Sequence, residues 1–272
     1  YKWDKESHIY IEKLEDHGNL AHKHSVEIPK RRIDAHIASL VEDQHIHISD
    51  NLADYYTFPG LLRDATVEDN DIRDIFEFED FYQKLEQYKR IEISGSDSSG
   101  KSALLKMIFL HFLPSKYVIF CKVDNIVSGN RRNIIKSLFE YIYGEEKSDY
   151  DKFTRAKKEN RIILIDDIHL ISPKHISRFL EGIEEEFGYI VYTTNNLLKL
   201  DIQERIEAAI AKDSYSCFRL LPLYRKKRKQ LVEKIIPLKY PTYTSKETTA
   251  LVERICHILD LQRRYIPLTP EI

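Results

Sequence analysis

Eight consecutive residues, Gly95-Ser-Asp-Ser-Ser-Gly100-Lys101-Ser102, restrict the folds open to this chain more than any other stretch. They match GxxxxGK[ST], follow the apolar run Arg90 to Ser94 and open the stretch SALLKMIFLHFL, so a strand must turn through a tight loop into a helix. With this chain's composition, the four fixed positions would arise somewhere by chance roughly two times in a thousand. The chemistry accounts for each of them. Gly95 and Gly100 let the backbone curl with its amides pointing inward, and Lys101 brings a point charge to the β and γ phosphates. The helix N-terminus adds partial positive charge, and Ser102 sets a hydroxyl where Mg²⁺ would sit. The expected ligand is ATP or ADP with Mg²⁺, contacted by Gly95, Ser96, Asp97, Ser98, Ser99, Gly100, Lys101, Ser102 and Ala103. A ligand-free, serine-rich turn is the competing reading.

A second element supports the first. Ile162-Ile-Leu-Ile-Asp166-Asp167 is an apolar strand ending in two carboxylates, the Walker B form. Asp166 is expected to hold Mg²⁺ with Ser102, and Asp167 to orient or deprotonate the attacking water. An apolar strand ending in Asp is common by itself, because strand ends meet loops; the phosphate loop is what gives it meaning.

From residue 89 onward, short β-branched runs alternate with amphipathic helical stretches, the pattern of a parallel sheet covered by helices. Five runs qualify as strands: Arg90 to Ser94, Tyr117 to Val123, Ile162 to Ile165, Tyr189 to Thr193 and Cys217 to Leu221. Helices are expected at Ser102 to Phe112, Arg131 to Tyr143, Pro173 to Phe187 and Ile202 to Ala211, with another at Phe76 to Tyr88 feeding the first strand. The predicted fold is therefore α/β, a three-layer sandwich around a five-stranded parallel sheet. This order suits the ATPase branch that inserts a strand between the two nucleotide-binding strands. In that branch a polar residue at the end of the fourth strand senses the γ-phosphate. Here Thr194 or Asn195 would do so, and Asn195 joins Lys101 and Asp167 as a catalytic candidate. A plain turn rich in asparagine is the alternative.

Three regions follow: an N-terminal extension or linker over 1–60, a nucleotide-binding domain over 61–223 and a helical lid over 224–272. The first 60 residues are polar and poorly periodic. The lid begins at a basic run, Arg225 to Lys229, and a second helical pattern covers Lys246 to Leu261. The chain opens at Tyr1 without a methionine, which suggests a piece of a longer polypeptide.

Composition excludes several classes. Basic residues number 42 against 44 acidic, so bulk charge does not hold nucleic acid, and any such binding must be local. Only 8 glycines and 32% charged residues favour helix over an all-β sandwich. No apolar run nears the roughly 18 residues that span a bilayer, so no membrane partner is expected. Cys121, Cys217 and Cys256 are odd in number and far apart, which encodes neither a disulfide framework nor a zinc site and fits a reducing cytoplasm.

With GSDSSGKS, LIDDIH at 164–169, CFRLLPL and Arg264-Tyr-Ile-Pro267-Leu-Thr-Pro270, residues 55 to 272 resemble the STAND NTPases, relatives of AAA+ and NB-ARC proteins. The resemblance implies a switch from a closed ADP-bound monomer to an ATP-bound homo-oligomer, with slow hydrolysis. Effector and sensor domains would lie outside this segment, and the role would be bacterial signalling or antiviral defence. It also implies that Pro267, the proline following the lid helices, packs on adenine. The winged-helix and sensor-repeat regions expected after such a core are absent from the sequence.

Several features remain open. The run Arg225 to Lys229 suits either a solvated helix face or the phosphate contacts of a DNA-associated AAA+ protein, such as a replication initiator or transposition ATPase. A degenerate module that holds nucleotide without turnover is a third possibility. His22 with His24, and His45 with His47, form HxH pairs that would share one face of a strand, yet no carboxylate or cysteine pattern completes a metal site. His169 is a strand-exit residue close to the paired aspartates. Arg131 and Arg132 open a helix, and spacing alone assigns no arginine finger.

Overall fold

The computed structural model describes residues 2–4, 8–10, 52–63, 75–76, 78–122, 131–171, 173–195 and 215–262. In chain order the elements begin with β1 (Lys2–Asp4), β2 (His8–Tyr10), α1 (Leu52–Tyr55), β3 (Leu61–Arg63), β4 (Ile75–Phe76) and α2 (Phe78–Gln87). Next come β5 (Arg90–Gly95), α3 (Lys101–Phe112), β6 (Tyr117–Lys122), α4 (Arg131–Tyr143), α5 (Lys147–Arg155) and β7 (Arg161–Asp166). The remainder is α6 (Pro173–Glu186), β8 (Tyr189–Asn195), β9 (Tyr215–Leu220), α7 (Arg225–Lys239) and α8 (Ser245–Gln262).

All five expected strands form and run parallel, in the order β9-β5-β8-β7-β6. The fourth strand in sequence, β8, thus lies between the phosphate-loop strand β5 and the carboxylate strand β7. The five-strand count needs correction. Beyond β9 the sheet continues through β3 and β4, both antiparallel, for seven strands in all. Runs of three and two residues are too short for periodicity to reveal. β1 and β2 pair in a separate two-stranded antiparallel sheet.

The continuous apolar character of β6 and β7 reflects burial, as expected of parallel strands packed on both faces: Val118, Ile119, Ile163, Leu164 and Ile165 are wholly buried. α3 packs Leu104, Leu105, Ile108 and Phe109 against them. β6 forms one edge of the sheet, and Tyr143 covers it. Its hydroxyl donates to the Val118 carbonyl at 2.9 Å and accepts from the Val118 amide at 2.8 Å, occupying groups an edge strand would otherwise expose. At the start of β5, the buried Arg90 guanidinium grips both oxygens of Glu184 and donates to the Gly188 carbonyl at 2.7 Å. This ties β5 to the turn between α6 and β8.

Residues Leu52, Tyr55 and Phe58, within the expected N-terminal extension, are buried in this same core. The helix expected at Ile202 to Ala211, the HxH pairs and Pro267 lie outside the described residues. α7 and α8 pack on each other, and α7 also meets α1. The basic run that opens α7 is not simply a solvated face. Arg228 is only 8% exposed, donating to the Leu223 carbonyl at 2.8 Å and to Asp260 of α8 at 2.6 Å.

Candidate nucleotide-binding site

β5 delivers Gly95 to the C-terminal edge of the sheet, where the chain reverses. A Cβ on Gly95 would sit 2.7 Å from Ser99 Oγ and 3.3 Å from Leu220 Cβ, so any side chain there would force the Ser99 hydroxyl to turn away and would press on Leu220. Ser98 (φ 57°) and Gly100 (φ 95°) adopt the left-handed conformation, and α3 starts at once, with the Leu104 amide donating to the Gly100 carbonyl at 2.9 Å. The Lys101 side chain is buried. Its ammonium donates to the Gly95 carbonyl at 3.1 Å and to the Ser96 carbonyl at 2.7 Å, which keeps a cation beneath the loop.

Asp166 ends β7 and is 7% exposed. The Thr193 hydroxyl, on β8, donates to Asp166 Oδ1 at 2.8 Å and accepts from the Asp167 amide, also at 2.8 Å. Asp167 turns left-handed, with φ 55° and ψ 50°, so its carboxylate leaves the line of the strand. Partial burial, reinforced by the Asp166 charge, pushes the Asp167 carboxyl above its ordinary pKa, while His169 and Lys101 pull it back. His169 Nδ1 stands 4.0 Å from Asp167 Oδ1.

The two γ-phosphate-sensing candidates separate. Thr194 faces away from the loop and donates to Glu92 of β5 at 2.7 Å. Asn195 reaches the loop, its side-chain amide donating to Asp97 Oδ1 at 2.6 Å. Thr193, which sequence reasoning passed over, lies on the same side of the strand as Asn195, since side chains alternate; that period was the available signal.

Asp97, Ser98, Ser99, Gly100, Lys101, Asp166 and Asp167 line a cleft of about 680 Å³ that also takes in Ser102, Ala103, Lys106 and Lys122. The cleft is also lined by Leu52, Tyr55, Tyr56 and Pro59 on one wall and by Leu231 and Ile235 of α7 on another. Lys234 of α7 donates to the Tyr56 carbonyl, closing the two walls on each other. The Tyr56 hydroxyl is buried and has no partner among the described residues, and burial raises its pKa well above the ordinary value.

The sheet order and the placement of the loop describe a mostly parallel α/β fold with a GxxxxGK[ST] loop between β5 and α3. No protein-family model matches the chain, and no curated protein does. Among solved structures, it is similar to domain III of the Thermotoga maritima replication initiation protein DnaA, with TM-score 0.39, 17% identity, and 62% of this chain and 70% of that chain covered. It is also similar to the E. coli MS115-1 HORMA:CdnC:Trip13 complex, with TM-score 0.36, 14% identity and coverage of 62% and 60%. A third is the Thermotoga maritima RuvB Holliday junction branch migration motor, with TM-score 0.34, 12% identity and coverage of 67% and 59%. Likenesses this weak do not bear on function.

The structure therefore brings Asp97, Ser98, Ser99, Gly100, Lys101, Ser102, Ala103, Asp166 and Asp167 to one cleft, with Asn195 bonded to Asp97 at its edge. The Ser102 hydroxyl and the Asp166 carboxylate offer hard oxygen donors of the kind Mg²⁺ takes. Among the described residues, no group of three or more His, Cys, Asp or Glu side chains could hold a metal alone, so Mg²⁺ would arrive with phosphate oxygens. No helix among these residues is long and apolar enough to cross a membrane.

Proposed function

We propose that this chain is an ATP-binding, slowly hydrolysing nucleotide switch and oligomerisation module of the STAND type, coupled to effector and sensor domains outside the segment. One observation carries the reading: a single cleft is lined both by the phosphate loop with the paired carboxylates and by a set of apolar side chains. That combination matches a nucleotide, with phosphates on Lys101 and the α3 N-terminus, and an apolar base between residues 52–59 and α7.

In this reading the loop amides and Lys101 bind the β and γ phosphates, with Lys101 exchanging the Gly95 and Ser96 carbonyls for phosphate oxygens. Ser102 and Asp166 hold Mg²⁺, which neutralises phosphate charge when bound. Asp167, its pKa raised, accepts a proton from water more readily than an ordinary carboxylate, and Thr193 holds its backbone amide. Asn195 reads the terminal phosphate. Because α7 supplies one wall of the cleft, an occupied site would hold the α7–α8 pair against residues 52–59.

The DNA-associated alternative would draw on Arg225 to Lys229. Arg225 pairs with Asp260 at 3.0 Å, Arg228 is buried against the same carboxylate, and Lys229 pairs with Glu233 at 3.7 Å. Of the run, Arg228 is the cation that burial takes away from a duplex; Arg225 and Lys229 stay largely exposed.

The test is thermal unfolding with ADP. At about 100 times its dissociation constant, ADP should add near 2.7 kcal/mol. No stabilisation by ADP or ATP at millimolar concentration would remove the reading.

A further inference from the structure

A carboxylate inside a phosphate-binding loop is electrostatically misplaced, and Asp97 is the third residue of this one. It lines the cleft and accepts the Asn195 side-chain amide at 2.6 Å, tying the loop to the end of β8. It is also close enough to Asp167 for its charge to raise that carboxyl's pKa. Asp97, Asn195 and Asp167 therefore gather at the loop, where the Lys101 charge is also felt. On the nucleotide reading, in which Asn195 meets the terminal phosphate, a diphosphate need not engage them. A γ-phosphate would meet the Asp97 charge and compete with Asp97 for the Asn195 amide.

We propose that Asp97 sets the preference of the site between nucleoside diphosphate and triphosphate, by holding Asn195 when no γ-phosphate is present and opposing that phosphate when it arrives. The proposal rests on the nucleotide-switch reading and names the residue that weights the switch. Two effects act together. The charge disfavours the triphosphate directly, and the hydrogen bond keeps the sensing amide engaged. A diphosphate disturbs neither.

The experiment is calorimetric titration of the protein with ADP and with a non-hydrolysable ATP analogue, in Mg²⁺, for the wild type, Asp97→Asn, Asp97→Ala and Asn195→Ala. Asp97→Asn keeps an oxygen for the Asn195 amide and removes the charge. The wild type should favour ADP, and Asp97→Asn should move the affinity ratio toward the triphosphate by about tenfold, the scale of one charge a few ångströms away in a partly screened site. Asp97→Ala should move it further, because it also frees the amide. In the Asn195→Ala background, Asp97→Ala should gain no more than Asp97→Asn does. If Asp97 merely shapes the loop, both nucleotides lose affinity together and the ratio stays fixed, which overturns the proposal; an unchanged ratio with unchanged affinities overturns it too. Failure of the wild type to bind either nucleotide refutes the nucleotide reading itself, a separate and recognisable outcome.

Discussion

Thr193 holds Asp166 across the boundary between two strands, its hydroxyl hydrogen directed at Oδ1 over 2.8 Å. The same oxygen receives the Asp167 amide, so one side chain holds the Asp166 carboxylate and the backbone that carries Asp167. Thr193→Val keeps the shape and removes both bonds. It should cost about 1–3 kcal/mol, because Asp166 and the Asp167 amide lose a partner at a buried position, and hydrolysis should fall at least about tenfold. Thr193→Ser should recover most of both. Denaturant unfolding together with phosphate release measures them, and a valine variant of full activity would show that the carboxylates are placed by other means.

Lys101→Ala should weaken ATP binding by at least about tenfold, roughly 1.4 kcal/mol. The wild-type ammonium satisfies two loop carbonyls before any ligand comes, so the variant should also show faster amide exchange across residues 95–101 without nucleotide. Unchanged affinity by calorimetry would refute the role given to this lysine.

The paired aspartates should separate by substitution. Asp167→Asn should leave nucleotide affinity in place while hydrolysis falls by about 10² or more. Asp166→Asn should make binding insensitive to Mg²⁺. Equal losses of affinity in both would mean that the roles are divided otherwise.

Asp167 also predicts a pH dependence. Its folded-state pKa is raised, so between the unfolded and folded values the native state binds more protons, and stability declines as pH rises through that window. Asp167→Asn removes that decline. The variant should therefore melt higher than the wild type at neutral pH without nucleotide, and the advantage should shrink to its pH-independent part below the ordinary carboxylate range. The side chain is 41% exposed, so solvent screening keeps the effect small. Thermal scans across pH check it; an advantage that grows on acidification reverses the sign.

Charge reversal in the basic run must spare Arg228, because losing its bond to Asp260 would loosen α7 from α8 by about 1–3 kcal/mol. Lys226→Glu with Lys229→Glu should leave ADP stabilisation intact, and the wild type should show no salt-dependent duplex binding at physiological ionic strength. A steeply salt-dependent duplex affinity that this variant abolishes would favour the DNA-associated alternative.

What the sequence made legible is what has strong local grammar. The loop from Gly95 to Ser102 announces strand, turn and helix together, and five apolar runs bounded by polar ones read directly as parallel strands. Thr193 was hidden because TTNN offers four polar residues in a row, and only the two-residue period, phased from the buried strand, tells which of them face Asp166. Leu52 to Pro59 was hidden differently. Its aromatics look like linker punctuation until β9 lies beside β3, a pairing between residues 155 to 159 apart that no local pattern encodes. Arg228 fails for a third reason: five cations in succession read as one solvated face, and only the carboxylate of Asp260 on another helix singles out the buried one.

The contact between Lys234 and the Tyr56 carbonyl joins residues 178 positions apart. On a ribosome adding about 5–20 residues per second, Tyr56 emerges roughly 9–36 s before its partner exists. For that interval one wall of the cleft has no opposite wall, and the sheet must be largely assembled before α7 can dock. Nucleotide held between those walls would then act late in the assembly of this segment, and cells depleted of ATP while this chain is being made should accumulate molecules whose sheet is formed and whose α7 and α8 remain open to protease.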